Sequence, residues 1–163
     1  MSQGKVWKYG DNVNTDVIFP GRYTYQIMPP EEMAKHALAD LDPEFAGSVR
    51  PGDVVVAGKN FGCGSSREQA AACLRGAGVQ AVVARSFARI YFRNAINIGL
   101  AVLQCDEAVD VLEKGDEVDL DFARGEIRSP KGAFRFLPLP DSVLGILEAG
   151  GLLEYTKKKL VKE

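Results

Sequence analysis

A glycine-rich loop between two apolar segments is the feature that most constrains the fold. Residues 54–57 read VVVA, residues 58–68 read GKNFGCGSSRE, and residues 69–75 form an alanine-rich run. An apolar run that leads through a glycine turn into an amphipathic run predicts a buried strand, a loop and the start of a helix. We therefore expect a strand–loop–helix unit in which the N-terminal end of the helix faces outward.

The loop has the composition of a binding place for a small anion. Gly62 and Gly64 permit positive φ angles and let the backbone approach a ligand closely. Ser65 or Ser66 is expected to cap the helix, whose first N–H groups carry partial positive charge. Arg67 adds a permanent charge that can hold a carboxylate through two hydrogen bonds. On the pattern alone, a capped turn with a solvated arginine is an equal alternative.

Three well-known loop motifs do not fit these residues. No Gly-Lys-Ser/Thr follows the glycines, which excludes a phosphate P-loop. Arg67 stands where a dinucleotide-binding fingerprint has its third glycine. The order of glycine and serine also differs from that of a nucleophile elbow.

Further apolar runs extend the unit into a parallel sheet. Residues 79–84 and 100–104 each predict a strand, and the segment between them predicts a helix that Ser86 caps. Alternating strands and helices of these lengths predict parallel crossover connections, with the glycine loop at the C-terminal end of its strand. A first strand is predicted over residues 5–9, and a helix over residues 31–39.

The last third of the chain has a different pattern. Charged and apolar residues alternate over 117–122, and two further strand-like segments follow after turns, at 126–128 and 133–137. This pattern predicts antiparallel hairpins. An amphipathic helix is predicted over residues 141–148, followed by a short tail helix. The expected fold class is α/β, with a parallel βαβαβ core and antiparallel hairpins.

Composition excludes several classes of function. The length of 163 residues and the hydrophobic content of 46% suit one globular domain over residues 1–163. A net charge of −2 argues against nucleic acid as the main partner. The chain shows no signal pattern and no membrane-length apolar run, so we expect a cytoplasmic protein without a membrane partner. Cys63, Cys73 and Cys105 lack the spacing of a metal site or a disulfide framework, so no metal is expected on this chain.

Three charged or titratable residues have more than one interpretation. His36 is the only histidine, and a lone helical histidine is usually structural or exposed. Arg89 and Arg93 are four residues apart and share one face of a predicted helix. The pair is either a solvated or ion-paired stripe or a functional one, and in this context the arginines would lie at a partner interface or be structural for the loop.

Three separated motifs, in order along the chain, resemble one known family. Residues 60–68 (NFGCGSSRE) resemble the signature of the mobile C-terminal domain of the aconitase superfamily, and residues 14–16 and 85–94 match the same domain. A chain of this length is similar to the small subunits of isopropylmalate dehydratase and homoaconitase-type enzymes. The resemblance covers most of the chain, is weakest beyond residue 106, and implies a single swivelling β/β/α domain.

The resemblance implies a hydro-lyase that isomerises 2-isopropylmalate to 3-isopropylmalate by dehydration and rehydration in leucine biosynthesis. It implies that Ser65 is the catalytic base, that Ser66 and Arg67, with Gly64, bind a carboxylate of a hydroxy-dicarboxylate substrate, and that Asp16 orients a histidine of a partner chain. A serine base needs nearby N–H groups and a guanidinium to stabilise its alkoxide. Departure of hydroxide is assisted by a Lewis acid, and this chain lacks the cysteines of an iron–sulfur site. A partner large subunit is therefore expected to carry a 4Fe–4S cluster.

The loop over residues 22–30 is expected to contact the variable side group of the substrate and so select the substrate, as the resemblance to the family implies. Its candidate substrate-binding residues are Arg22, Tyr23, Thr24, Tyr25 and Gln26. Residues 24–26 match neither the Leu-Arg-Thr of archaeal-like isopropylmalate enzymes nor the Leu-Val-Tyr of homoaconitate enzymes. Without a guanidinium at position 25 or 26, an apolar pocket is favoured, and its lining would be Tyr23, Tyr25, Ile27 and Met28.

Two other functions stay open on the sequence. One is the small subunit of a homoaconitate, citraconate or dimethylmalate hydro-lyase. The other is an anion- or metabolite-binding module without catalysis.

Overall fold

One mixed sheet organises the chain in a computed structural model that describes residues 3–162. Along the chain its seven strands are β1 (Gln3–Lys8), β2 (Val54–Val56), β3 (Ala81–Ala84), β4 (Ala101–Gln104), β5 (Glu117–Asp121), β6 (Glu126–Ser129) and β7 (Gly132–Arg135). Their spatial order is β4-β3-β2-β1-β5-β6-β7. The first strand of the chain therefore lies at the centre of the sheet.

Short helices connect and cover these strands. They are α1 (Thr15–Ile18), α2 (Pro30–Met33), α3 (Phe45–Ser48), α4 (Gln69–Gly76), α5 (Arg89–Asn97), α6 (Asp106–Val111), α7 (Asp141–Ala149) and α8 (Leu152–Lys162), with 3-10 turns at Gly21–Tyr23 and Ala34–His36. Within residues 3–162, no helix has the length and apolarity needed to cross a membrane.

The parallel half of the sheet confirms the expected βαβαβ core. β1 pairs in parallel with β2, β2 with β3, and β3 with β4. Every residue of β2 and β3 is buried. Strands covered on both faces need apolar side chains at every position, which is why these segments are continuous runs of valine and alanine.

The antiparallel half confirms the expected hairpins. β1 pairs antiparallel with β5, β5 with β6, and β6 with β7. Burial alternates along β5, as it does in a sheet with one face on the core. β1 therefore joins the two halves, using Val6 to Lys8 toward β2 and Gln3 to Lys5 toward β5.

A buried carboxylate ties β1 to the turn before β2. Asp53 accepts hydrogen bonds from the Lys5 backbone N–H at 3.0 Å, the Trp7 indole N–H at 2.9 Å and the Arg50 backbone N–H at 3.0 Å. Only 6% of Asp53 is exposed. Hydrogen bonds to an ionised, buried acceptor are among the stronger ones in proteins, so this side chain fixes the entry to the parallel half.

The predicted serine caps are wrong. α4 begins at Gln69 without a side-chain cap, so neither Ser65 nor Ser66 caps it. α5 begins at Arg89, also without a side-chain cap. The Ser86 hydroxyl accepts the Asn60 N–H at 2.8 Å instead, and its carbonyl accepts the Phe61 N–H at 3.0 Å. Because these contacts hold Ser86 against the glycine loop, α5 starts three residues after Ser86.

The helix predicted over residues 31–39 is two separate pieces, α2 and the turn Ala34–His36. Ala37 has extended backbone angles, and Leu38 has a left-handed φ of +55°. The Leu38 side chain is fully buried and its N–H donates to the Ile18 carbonyl at 2.8 Å. This tertiary contact replaces a further helical turn. α6 (Asp106–Val111) was not predicted from the sequence.

Candidate active site

Two of the sequence motifs meet at the C-terminal end of β2. The loop over residues 58–68 leaves that strand and pairs with the start of α1, where Asn14 and Cys63 form a parallel bridge. The Thr15 N–H donates to the Cys63 carbonyl at 2.8 Å, and the Gly62 N–H donates to the Val13 carbonyl at 2.7 Å. The edge formed by the C-terminal ends of parallel strands is where α/β sheets bind ligands.

Gly62 and Gly64 shape the loop, as the sequence predicts. Their φ angles are +83° and +96°, in the region that favours glycine. A Cβ on Gly62 would lie 2.1 Å from the ring of Tyr91. Tyr91 is buried in α5 and donates its hydroxyl to the Ala70 carbonyl at 3.0 Å, so its ring has no room to move. The loop thus packs directly on α5.

The Ser65 backbone is held in place, and both serines keep their side chains free. Thr15 is buried, and its hydroxyl donates to the Ser65 carbonyl at 2.8 Å. Ser65 and Ser66 are both exposed. In the part of the chain that the structure describes, neither hydroxyl makes a hydrogen bond. A fixed backbone with an unpaired hydroxyl is what a reacting or binding serine needs.

Arg67 and Asp16 form an ion pair beside the serines, with Nη1 and Oδ1 2.5 Å apart. The Arg67 side chain is 23% exposed and that of Asp16 is 60% exposed. Nη1 is buried, yet it has no aligned hydrogen-bond acceptor among residues 3–162, so the contact is electrostatic. A Cβ on Gly21 would come within 3.3 Å of Nη1, which shows how closely the guanidinium lies against the next loop.

A cavity of about 180 Å³ opens between the glycine loop and α5. Thr15 and residues of the segment 62–67 line one side, while residues 88–91 and Asn94 line the other. Ser65, Ser66, Gly64 and Arg67 therefore share one cavity. Arg89 and Asn94 also line it, and both lie in the third motif; a structural role for the loop was one of the alternatives that the sequence left open for Arg89.

The structure places the loop of residues 22–26 apart from this cavity's lining. Arg22 forms two hydrogen bonds of 3.0 Å with the Asp40 carboxylate, and these hold the pKa of Asp40 below its usual value. The Tyr23 ring stacks on His36 with centroids 3.7 Å apart. The Thr24 hydroxyl donates to the Gly21 carbonyl at 2.7 Å. These three side chains stabilise their own loop.

Three further residues of that loop face solvent, whereas a fourth is packed against the core. Tyr25 is 94% exposed, Gln26 is exposed and Ile27 is 105% exposed, while Met28 packs on the core. In this arrangement Tyr25 and Ile27 do not form an apolar pocket with Tyr23 and Met28. The residues are thus free to contact a ligand or a second chain.

The three cysteines differ in how deeply they are buried. Cys63 is half-buried, whereas Cys73 and Cys105 are buried. Burial raises the pKa of both the Cys73 and the Cys105 thiols. Across residues 3–162, no group of three or more histidine, cysteine or acidic side chains is arranged to hold a metal ion.

Comparisons with known proteins agree with this fold and loop. The aconitase C-terminal domain family matches residues 31–108. A 3-isopropylmalate dehydratase small subunit from Caldicellulosiruptor bescii is 52% identical over 99% of this chain and 98% of its own. An isopropylmalate/citramalate isomerase small subunit from Methanocaldococcus jannaschii is 46% identical over 98% of this chain and 96% of its own.

A solved structure extends the similarity to the whole backbone. The crystal structure of 3-isopropylmalate dehydratase from Methanocaldococcus jannaschii has a TM-score of 0.91 and 43% identity, and the match covers 98% of this chain and 96% of that one. The identity and coverage confirm the family that the three motifs indicated. The chain belongs to the small subunits of 3-isopropylmalate dehydratase, within the aconitase superfamily.

Proposed function

We propose that this chain supplies half of the active site of a heteromeric hydro-lyase that isomerises 2-isopropylmalate to 3-isopropylmalate in leucine biosynthesis. In this proposal it acts as a single domain over residues 1–163 and pairs with a large subunit. One observation carries the proposal: the Arg67 guanidinium shares a cavity with the hydroxyls of Ser65 and Ser66, which make no hydrogen bond within residues 3–162. A guanidinium beside two free hydroxyls can bind a carboxylate through charge-assisted hydrogen bonds.

Ser65 is the proposed base. Isomerisation by dehydration removes a proton from a carbon beside a carboxylate, and Ser65 would accept it as an alkoxide. Thr15 fixes the Ser65 backbone, which limits the positions that its hydroxyl can reach. The guanidinium of Arg67 in the same cavity favours the charged form of the serine.

Arg67 and Ser66 are the proposed carboxylate holders. The planar guanidinium can form two parallel hydrogen bonds with a carboxylate, and the free hydroxyl of Ser66 can donate a third. Asp16 restrains the guanidinium through the ion pair. With 60% of its side chain exposed, Asp16 also remains open to a histidine of the large subunit, which we propose it orients.

The proposal assigns the 4Fe–4S cluster to the large subunit. The side chains of this chain do not fit one, since Cys73 and Cys105 are buried in different elements and direct their thiols at backbone carbonyls. The contribution of this chain is to bind the substrate carboxylate and to hold the proton at Ser65.

Citramalate is the second candidate substrate. A relative that is 46% identical bears the name of an isopropylmalate/citramalate isomerase small subunit. A panel of 2-isopropylmalate, citramalate, homocitrate and dimethylmalate, assayed side by side, distinguishes these substrates. A binding module without catalysis would leave all four unchanged in the assembled complex.

The decisive test is Ser65→Ala in the complex reconstituted with the large subunit. We expect turnover to fall by at least about 100-fold, the usual contribution of a positioned base, with assembly unchanged. Ser142→Ala is the control, because Ser142 is exposed on α7, away from the cavity lining. Near-normal turnover of the Ser65 variant would remove it as the base. Dehydration of a diacid by the small subunit alone, or stoichiometric iron on it, would contradict the proposal as a whole.

A further inference from the structure

Arg89 is the second guanidinium at the cavity, and it has no partner within the described chain. It is the first residue of α5 and lines the cavity together with Ser65 and Arg67. Several arginines elsewhere in the molecule are paired, for example Arg22 with Asp40, Arg85 with Asp110, and Arg128 with Asp121 and Glu126. The Arg89 side chain makes neither an ion pair nor a hydrogen bond within residues 3–162.

The position of Arg89 is unfavourable for the helix that carries it. The N-terminal end of a helix is the positive end of its dipole, so a cation there costs about 0.3–1 kcal/mol, where an acid would stabilise. The first turn of α5 contains no acidic residue and no side-chain cap to offset that charge. Local stability therefore does not explain an arginine at this position.

The charge of the cavity points to a ligand with more than one negative group. Two arginines line it, whereas no aspartate or glutamate among residues 3–162 does. Asp16 contacts only the first guanidinium, and its carboxylate is mostly exposed. Two like charges at one small cavity repel each other unless an anion lies between them.

We propose that Arg89 binds the second carboxylate of the dicarboxylate substrate, while Arg67 binds the first. This inference rests on the proposed function and adds the residue that distinguishes a dicarboxylate from a monocarboxylate. A guanidinium from each wall of the cavity would hold both ends of the substrate, and so fix which carbon faces Ser65.

Arg93 provides a matched control. It lies one helical turn after Arg89 on α5, it is also exposed, and no ion pair holds it within the described residues. Arg93 does not line the cavity. The two arginines thus differ mainly in whether they reach the site.

The test uses Arg89→Gln, Arg89→Lys and Arg93→Gln in the complex with the large subunit. We expect Arg89→Gln to lower kcat/KM for the diacid by about 10- to 100-fold, the effect of removing a charged hydrogen bond. Arg89→Lys should recover part of that loss because it keeps the charge. Arg93→Gln should stay within about threefold of the unaltered complex, as is usual for a surface substitution.

A pair of competitive inhibitors separates recognition of the second carboxylate from a structural role. Methylsuccinate carries two carboxylates and isovalerate carries one. Arg89→Gln should weaken inhibition by methylsuccinate and leave inhibition by isovalerate unchanged. Equal weakening of both inhibitors, or kinetics equal to those of Arg93→Gln, would overturn the inference. Loss of assembly in Arg89→Gln would also overturn it, and would place Arg89 at the subunit interface.

These outcomes are distinct from failure of the proposed function. If the unaltered complex converts no diacid, or if Ser65→Ala stays active, the proposed function fails. If the unaltered complex is active, Ser65→Ala is inactive and Arg89→Gln behaves as the unaltered complex does, only the role of Arg89 is wrong.

Discussion

Gly62 brings the glycine loop into contact with α5, and a single methyl group there would separate them. The predicted Cβ lies 2.1 Å from the Tyr91 ring, and the φ of +83° is itself unfavourable for alanine. The cavity lies between these same two segments. Its shape therefore depends on the absence of one side chain.

We predict that Gly62→Ala lowers the free energy of unfolding by about 2–4 kcal/mol, because overpacking adds to the penalty for alanine at positive φ. Gly115→Ala is the matched control: its φ is +90°, and a Cβ there meets no atom within 4 Å. That variant should lose only about 1 kcal/mol. Urea unfolding measures both, and equal losses would show that the Tyr91 contact has no cost of its own.

Residue types identified part of the site but not the directions of its side chains. Ser65, Ser66 and Arg67 could be proposed from the loop sequence, and the structure places them at one cavity. The partner of Arg22 could not be predicted, since Asp40 comes next to it only through tertiary folding. Arg89 and Arg93 look equivalent in sequence. They differ in position because α5 begins at Arg89, which places Arg93 one turn further along the helix.

Among the elements, the strands were easier to predict than the helices. Fully buried strands need unbroken apolar runs, and that pattern is local. The helix starts depend on contacts that are distant in sequence, such as the bond from the Asn60 N–H to the Ser86 hydroxyl. The helix after Pro30 ends early for the same reason, because Leu38 bonds to Ile18.

The link between β1 and the turn before β2 gives a prediction for Asp53. Asp53→Asn replaces a carboxylate that accepts three hydrogen bonds with an amide that has one oxygen. We expect the free energy of unfolding to fall by about 2–3 kcal/mol. Trp7 is the only tryptophan and one of the three donors, so its fluorescence emission should shift in the folded variant.

Asp110→Asn is the control for that experiment. It breaks the ion pair with Arg85, in which the aspartate side chain is 61% exposed, and pairs of that kind contribute at most about 1 kcal/mol. A loss in the Asp53 variant no larger than in this control would contradict the role assigned to the buried carboxylate.

On the scale of the whole molecule, two partly buried aspartates link stability to acid pH. A hydrogen bond from Lys131 holds the pKa of Asp116 below its usual value, and the Arg124 backbone N–H does the same for Asp121. Both aspartates belong to the antiparallel half of the sheet. A group whose pKa is lower in the folded state stabilises the fold above its unfolded pKa of about 3.9, and this contribution is lost as pH falls through the folded pKa.

We therefore predict that stability to urea falls as pH is lowered from about 5 toward 2. Asp116→Asn should be less stable than the unaltered chain at pH 7, and the difference should disappear near pH 2, where the carboxylate is protonated. Urea midpoints measured at several pH values give both curves. A difference that stays constant with pH would show that Asp116 acts through something other than its charge.

The central place of β1 has a consequence for how the chain is made. A ribosome produces β1 before β2 to β7, but one of its two neighbours in the sheet, β5, consists of residues 117–121. A nascent chain that has emerged only as far as β4 can assemble the parallel half, yet Gln3 to Lys5 still lack their antiparallel partner. Unpaired edges recruit other strands, so translation that stalls before residue 117 would release fragments prone to aggregate.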